Sequence, residues 1–285
     1  VILEDWPISI RNRRNIKDSK LSDSEIITIS IVGELLTIDS EKSFFSLLKR
    51  EYKELFPRLG DRTRFNRTKR NLHLVISKIR GYISEFMQLY SNNIRVIDSM
   101  PIPVCEFGRA HFSKCFKGEA SYGICASKKE TYFGFKFHAL TTVDGFLTDY
   151  VITPANIDDR NAVWDLCDKY RSISIIGDKG YINKRLTPEL KNERDIDLLF
   201  LKRANSRDNY PKEVRQLLFK VRRRIETSFS QLTEQLNLNK VKSKSMLGFI
   251  TRTSIKVLAH NISFLINKLM KNDDSMAKIK RLVFG

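Results

Sequence analysis

The chain has 285 residues, 41% of them hydrophobic, enough to bury a sizeable core in one large domain or two smaller ones, and two are expected. Lysine and arginine total 51 against 33 acidic residues, a formal charge of +18 with a pI near 9.8, more than solubility requires, so a polyanionic partner is expected, nucleic acid first. No apolar run approaches about 18 residues and no N-terminal stretch has the layout of a signal peptide, which argues for a cytoplasmic protein with no membrane partner. Residue 1 is Val rather than Met, so the chain starts at a non-standard codon or is a fragment. Cys105, Cys115, Cys125 and Cys167 lack Cys-x-x-Cys spacing, and most are expected to be buried thiols rather than disulfides or zinc ligands.

Residues 1 to about 93 read as helical. Ser22 with Glu25 makes a capping box ahead of Ile26, Ile29 and Val32, and a second segment around Phe44 to Leu48 starts near Asp39-Ser40. Leu72, Val75, Ile76, Ile79, Ile83, Phe86 and Leu89 fall on one helical stripe. Just before that stripe, the run from Arg58 to Arg70 concentrates Arg62, Arg64, Arg67, Lys69 and Arg70, which suits contact with DNA from a helix-turn-helix-like element, a helical type also common in dimerisation modules.

From residue 94 strands and helices alternate. Ile94-Arg95-Val96-Ile97 leads into Asp98. The stretches 132–140 and 146–153 alternate on either side of an Asp144-Gly145 turn. Asp158 or Asp159 caps a helix through Trp164 and Leu166, Ile173 to Ile176 leads into Asp178, and Leu198 to Leu201 reads as a further strand. Val214, Leu217, Leu218, Val221, Ile225, Leu232 and Leu236 mark a long amphipathic helix, and Ile250 to Leu269 a final one. The expected organisation is a helical DNA-binding or dimerisation domain over 1–93, an α/β catalytic domain over 94–270 and a flexible tail over 271–285.

Asp98 and Asp178 end apolar, β-branched runs, where strands deliver carboxylates to a sheet edge, and Glu226 lies on a helix that can meet them. An acid ending a core strand is costly without a partner. Phosphodiester cleavage needs a nucleophile, charge neutralisation and in-line geometry, all of which two Mg²⁺ ions supply when held by Asp/Glu oxygens. Asp98 is expected to bridge two Mg²⁺ ions, with Asp178 and Glu226 holding one each and Mn²⁺ able to substitute. Lys136, Lys179, Arg222 and Arg223 are expected to contact DNA, Lys136 from the strand face opposite Phe135 and Phe137. His111, His138 and His260 read as structural.

The pieces Val96-Ile97-Asp98-Ser99-Met100-Pro101, Tyr132-Phe133-Gly134-Phe135-Lys136, Gly177-Asp178-Lys179-Gly180-Tyr181 and Arg224-Ile225-Glu226-Thr227-Ser228-Phe229 resemble the DDE transposases of bacterial insertion sequences, over about residues 20 to 270. The resemblance implies a ribonuclease-H-like mixed sheet flanked by helices, behind a small all-helical N-terminal domain. It implies Asp98, Asp178 and Glu226 as metal ligands, cutting of element ends, and joining of the freed 3′-hydroxyl to target DNA. Double-stranded DNA, as terminal repeats and as target, is then the partner of a homodimer or higher assembly at the bacterial nucleoid. Several such families space a Tyr, an Arg and a Lys around the glutamate. Here Arg222 matches, whereas Phe219 and Thr233 replace the Tyr and the Lys, which bears on DNA-end contacts and not on metal binding. A metal-dependent nuclease that never joins, and a catalytically silent DNA-binding protein, are the alternatives.

Overall fold

A computed structural model of the chain describes residues 16, 18–89, 92–125, 128–181, 183, 185–200, 210–270 and 277–279. The chain divides into two compact units, one of residues 1–83 with 232–285 and one of residues 84–231. Most of the expected tail, and residues 1–15 of the expected helical region, lie outside the described residues.

The first unit is built on helices α1 (Asp23–Leu35), α2 (Glu41–Glu51), α3 (Arg62–Asn71), α4 (His73–Phe86), whose last three residues lie past the unit boundary, and α8 (Met246–Leu269). Their starts follow from local chemistry. The Ser22 hydroxyl accepts from the Glu25 N–H while the Glu25 carboxylate accepts from the Ser22 N–H at 2.6 Å, the expected capping box. Ser40, Asp61 and Ser245 each accept an N–H from the first turn of α2, α3 and α8. The apolar stripe from Leu72 divides at the junction of α3 and α4, and at its far end Phe86 is exposed while Met87 is buried instead. The sequence reading put 232–270 with the strands, but α8 packs on α1. Glu34 of α1 takes Arg252 at 3.0 Å and Lys256, and Lys256 also donates to the Leu236 carbonyl. Such a buried ammonium is tolerable only with these partners.

The second unit is a six-stranded mixed sheet with helices on both faces. Its strands are β1 (Ile94–Pro103), β2 (Ser121–Cys125), β3 (Glu130–Thr141), β4 (Leu147–Pro154), β5 (Ser174–Gly177) and β6 (Asp197–Phe200). They run in the order β2-β3-β1-β5-β6, and β4 joins β3 on the same edge as β2, further along the strand. The pairs around β3 are antiparallel, whereas β1–β5 and β5–β6 are parallel. Gly145, at φ +96°, closes the hairpin between β3 and β4. Helices α5 (Ala162–Leu166) and α6 (Leu186–Arg194) cover the face carrying Ile97, Leu140, Ile175 and Leu198. Helix α7 (Lys212–Ser230) covers the other, setting Leu218 and Val221 against Ile176 and Leu199. The wider turns of a π-helix continue α7 through Gln231–Gln235.

Only Cys167 is buried. Cys105 and Cys115 lie in the irregular segment after β1, and Cys125 ends the edge strand β2, which leaves all three half-buried rather than buried as expected. Among the described residues no helix is long and apolar enough to cross a membrane. Where β1, β2 and β4 crowd around β3, Gly134 has no room for a side chain, because a Cβ there would stand 2.2 Å from the Ile102 carbonyl oxygen. Gly134→Ala is therefore expected to destabilise the protein by at least about 2 kcal/mol, read as a lowered midpoint in urea.

Candidate active site

The parallel pairing of β1 with β5 runs from Ile94 beside Ser174 to Val96 beside Ile176. Asp98 and Asp178 each lie two residues beyond that last pair, so the register brings two carboxylates to one level of the sheet. Gly177 permits the approach, since a Cβ there would meet the Ile97 side chain at 2.9 Å. Asp98 sits within β1 rather than at its end, as the sequence suggested, because β1 continues along β3 to Pro103 after β5 has stopped. Helix α7 completes the group: Arg222 and Glu226 follow Leu218 at one-turn intervals on the face that packs on β1 and β5.

Arg222 stands among the three carboxylates, 3.6 Å from Asp98, 3.6 Å from Asp178 and 3.6 Å from Glu226. These are ion-pair distances, too long for hydrogen bonds, and the buried Arg222 Nε has no hydrogen-bond partner. Asp98 is the most enclosed of the three and Glu226 the most open. Its carboxyl is pushed up to about 6 by burial and by the neighbouring Asp178 and Glu226, against the Ser99 N–H and Arg222. The Ser99 N–H donates to Asp98 Oδ1 at 2.8 Å, and the Lys179 N–H to Asp178 Oδ1 at 2.7 Å.

One guanidinium leaves three carboxylates short of neutral, and their oxygens are the donors a hard divalent cation prefers. The residues therefore fit a divalent metal in charge and in chemistry. Among the described residues no three His, Cys, Asp or Glu side chains already stand at metal-gripping distances. The cation among these carboxylates is Arg222.

A second polar group lies beside Asp98. Lys136 donates to Asp159 at 2.7 Å and to the Ile157 carbonyl at 2.8 Å, and the Ser99 hydroxyl donates to the other oxygen of Asp159 at 2.9 Å. His138, paired with Ser99 across β1 and β3, is held neutral by burial, which lowers it to about 4. Phe135 and Phe137 are buried as expected. Asp159 was read only as a helix cap, a role Asp158 takes through the Arg160 N–H. The usable signal was Lys136 itself, since an ammonium between two core phenylalanines demands a carboxylate.

The other expected DNA contacts are spread out. Arg223 and Lys179 are exposed in the second unit. In the first unit Arg62, Lys69 and Arg70 share one face of α3, Arg64 borders a small cavity with Lys20 and Gly60, and Arg67 is exposed.

A family model described as Transposase DDE domain matches residues 89–246, more than half of the chain and all of the carboxylate site. The chain belongs to this family. It is a DDE-type transposase by domain, which implies DNA as substrate and a divalent metal requirement. No curated protein and no solved structure matches it.

Two outcomes follow for this transposase. Without divalent cations, the stability tied to the raised Asp98 carboxyl is fully present below 3.8 and is lost as pH rises through about 6. Asp98→Asn cannot ionise, so its melting temperature is expected to exceed the parent's by a margin that widens between about pH 4 and pH 7, on the order of 2 kcal/mol. A margin flat with pH would refute burial as the cause. Asp159→Ala leaves the Lys136 ammonium with the Ile157 carbonyl but no carboxylate and is expected to cost about 3 kcal/mol in chemical denaturation, most of it recovered when Lys136→Met is added.

Proposed function

We propose that the protein cuts the ends of an insertion sequence and transfers the freed 3′-hydroxyl to target DNA, with Asp98, Asp178 and Glu226 as its catalytic carboxylates. The observation that carries this is their convergence on Arg222 from two registered strands and a helix within a transposase DDE domain. The antiparallel run β4-β3-β1 continued by parallel β5 and β6, with β2 as a sixth strand, supports a ribonuclease-H-like assignment for the sheet.

Asp98, the most enclosed acid and one that feels the charge of both others, would bridge two Mg²⁺ ions, with Asp178 and Glu226 holding one each and Mn²⁺ able to substitute. When bound, such ions supply charge neutralisation at the phosphate and an activated water or hydroxyl. Asp98 must give up its proton to act as a ligand, and its enclosed position makes that proton harder to lose than a surface carboxyl's. Glu226 is the most exposed of the three, so an incoming DNA strand would reach it first. Arg222, freed from neutralising the acids, offers its partly exposed guanidinium to a DNA phosphate. Lys179 and Arg223 contact the backbone nearby, and Lys136 acts by holding Asp159 and, through it, Ser99 beside Asp98. Residues 1–93 bind DNA and pair two protomers through helices whose cations include Arg62, Arg64, Arg67, Lys69 and Arg70. The protein works on the bacterial nucleoid.

A labelled duplex carrying the repeats that flank the gene tests the proposal. The parent is expected to cut and join it with Mg²⁺ or Mn²⁺, and Asp98→Asn, Asp178→Asn and Glu226→Gln to lose at least about 100-fold. Cutting without joining would make the protein a nuclease, and variants active at the parental rate would remove the triad. Independently of turnover, Mg²⁺ is expected to raise the parent's melting temperature more at about pH 7.5 than at about pH 5.5, and that of Asp98→Asn at neither.

A further inference from the structure

The first unit contains a cleft of about 620 Å³ that the catalytic proposal does not use. One wall is α3, where Arg62, Asn66, Lys69 and Arg70 recur at helical spacing and present a single stripe. The facing wall is the segment ahead of α8, with Lys242 and Lys244. Lys42 and Arg252 bring the lining to seven cations, against the two carboxylates of Asp39 and Glu41.

Those carboxylates are already committed. Glu41 accepts from Lys69 and from Asn66, both at 2.6 Å, with Arg62 at 3.5 Å, and Asp39 lies 3.7 Å from Lys242. Arg252 is taken by Glu34. Among the described residues Lys42, Arg70 and Lys244 have no acidic partner. The cleft therefore holds concentrated positive charge that the protein itself does not balance, and an anion would lower its energy. The first turns of α2 and α8 also open here, adding backbone N–H groups of the kind that bind phosphate oxygens. Gly248 keeps the α8 start narrow: a Cβ there would stand 2.7 Å from the Ser243 hydroxyl.

We propose that this cleft binds backbone phosphates of duplex DNA between the α3 stripe and residues 242–244. The proposal rests on the protein being a transposase, and it gives the strap before α8 a share in holding DNA together with α3. Lysines and arginines ranged along two walls suit a string of phosphates, and they hold a duplex without reading its bases. Arg64 and Arg67, on other sides of α3, take no part in this cleft.

The test uses full-length protein, a fluorescent duplex and a series of salt concentrations. Arg70→Glu and Lys244→Glu, with Lys244→Gln as a milder form, are compared with Lys53→Glu, an equal charge change on an exposed residue outside the cleft. Each reversal in the cleft is expected to weaken binding about tenfold, equally for unrelated duplex sequences, and to lower the slope of log affinity against log salt by about one. The same affinity and slope as Lys53→Glu would overturn the proposal. A free phosphate ligand would show itself differently: inorganic phosphate would raise the melting temperature of the parent but not of the cleft variants, while their duplex affinity stayed parental, and that too would overturn it. Cleavage by Asp98→Asn tests the transposase reading separately. Loss of cutting with parental DNA affinity in that variant, beside weakened affinity in the cleft variants, supports both.

Discussion

Two strands fixed in parallel register carry the consequence from which the rest of the second unit follows. With Val96 held beside Ile176, Asp98 and Asp178 have no freedom to avoid one another. Two like charges at the end of a buried sheet are unfavourable unless a cation joins them, and a third carboxylate arrives with α7. Each neighbouring feature answers that demand. Gly177 lets β1 and β5 close up, Leu218 and Val221 seat the helix, and the residue one turn past Leu218 is an arginine. Stability is given up locally at a site that requires a cation to be complete.

The same fold treats its positive charges in two ways. Lys136, Lys256 and Arg95 are enclosed, and each is matched to carboxylates or carbonyl oxygens. Such groups specify one arrangement of the chain because any other leaves them unpaired. The cations around the α3 cleft are arranged differently, with more of them than the local acids can balance. Enclosed and matched charge builds the molecule, and unmatched charge at its surface is directed outwards, to a partner the fold does not contain.

What the sequence made legible was local. Capping residues at Ser22 and Ser40 mark helix starts through hydrogen bonds within one turn, and the alternation before and after Gly145 marks a hairpin because its partners are near in the chain. The two aspartates could be singled out because each ends an apolar run. Features set by distant partners could not be read. Arg95 looks like an interruption of an apolar strand, yet its guanidinium is buried through carbonyls at Leu89 and Ile94. β1 passes through Asp98 because β3, some forty residues on, keeps pairing with it. The association of α8 with α1 depends on Glu34 meeting Arg252 and Lys256 more than two hundred residues away. In the site, Glu226 was the least distinctive of the three acids taken alone, and only folding brings it, with Arg222, to the other two.

The division between the two units falls at Gln231, inside a helical run and not in a loop. The apolar positions from Val214 to Leu236 read as one stripe, but Ile225 and Phe229 belong to one unit and Leu232 and Leu236 to the other. No cut in the chain therefore separates the sheet cleanly from the helices. A fragment ending at Ser230 would leave the last carbonyls of α7 without their N–H donors one turn beyond Glu226, and fraying would begin at that end of the helix. Dissection of this protein into independent modules is thus obstructed by the helix that carries its third carboxylate.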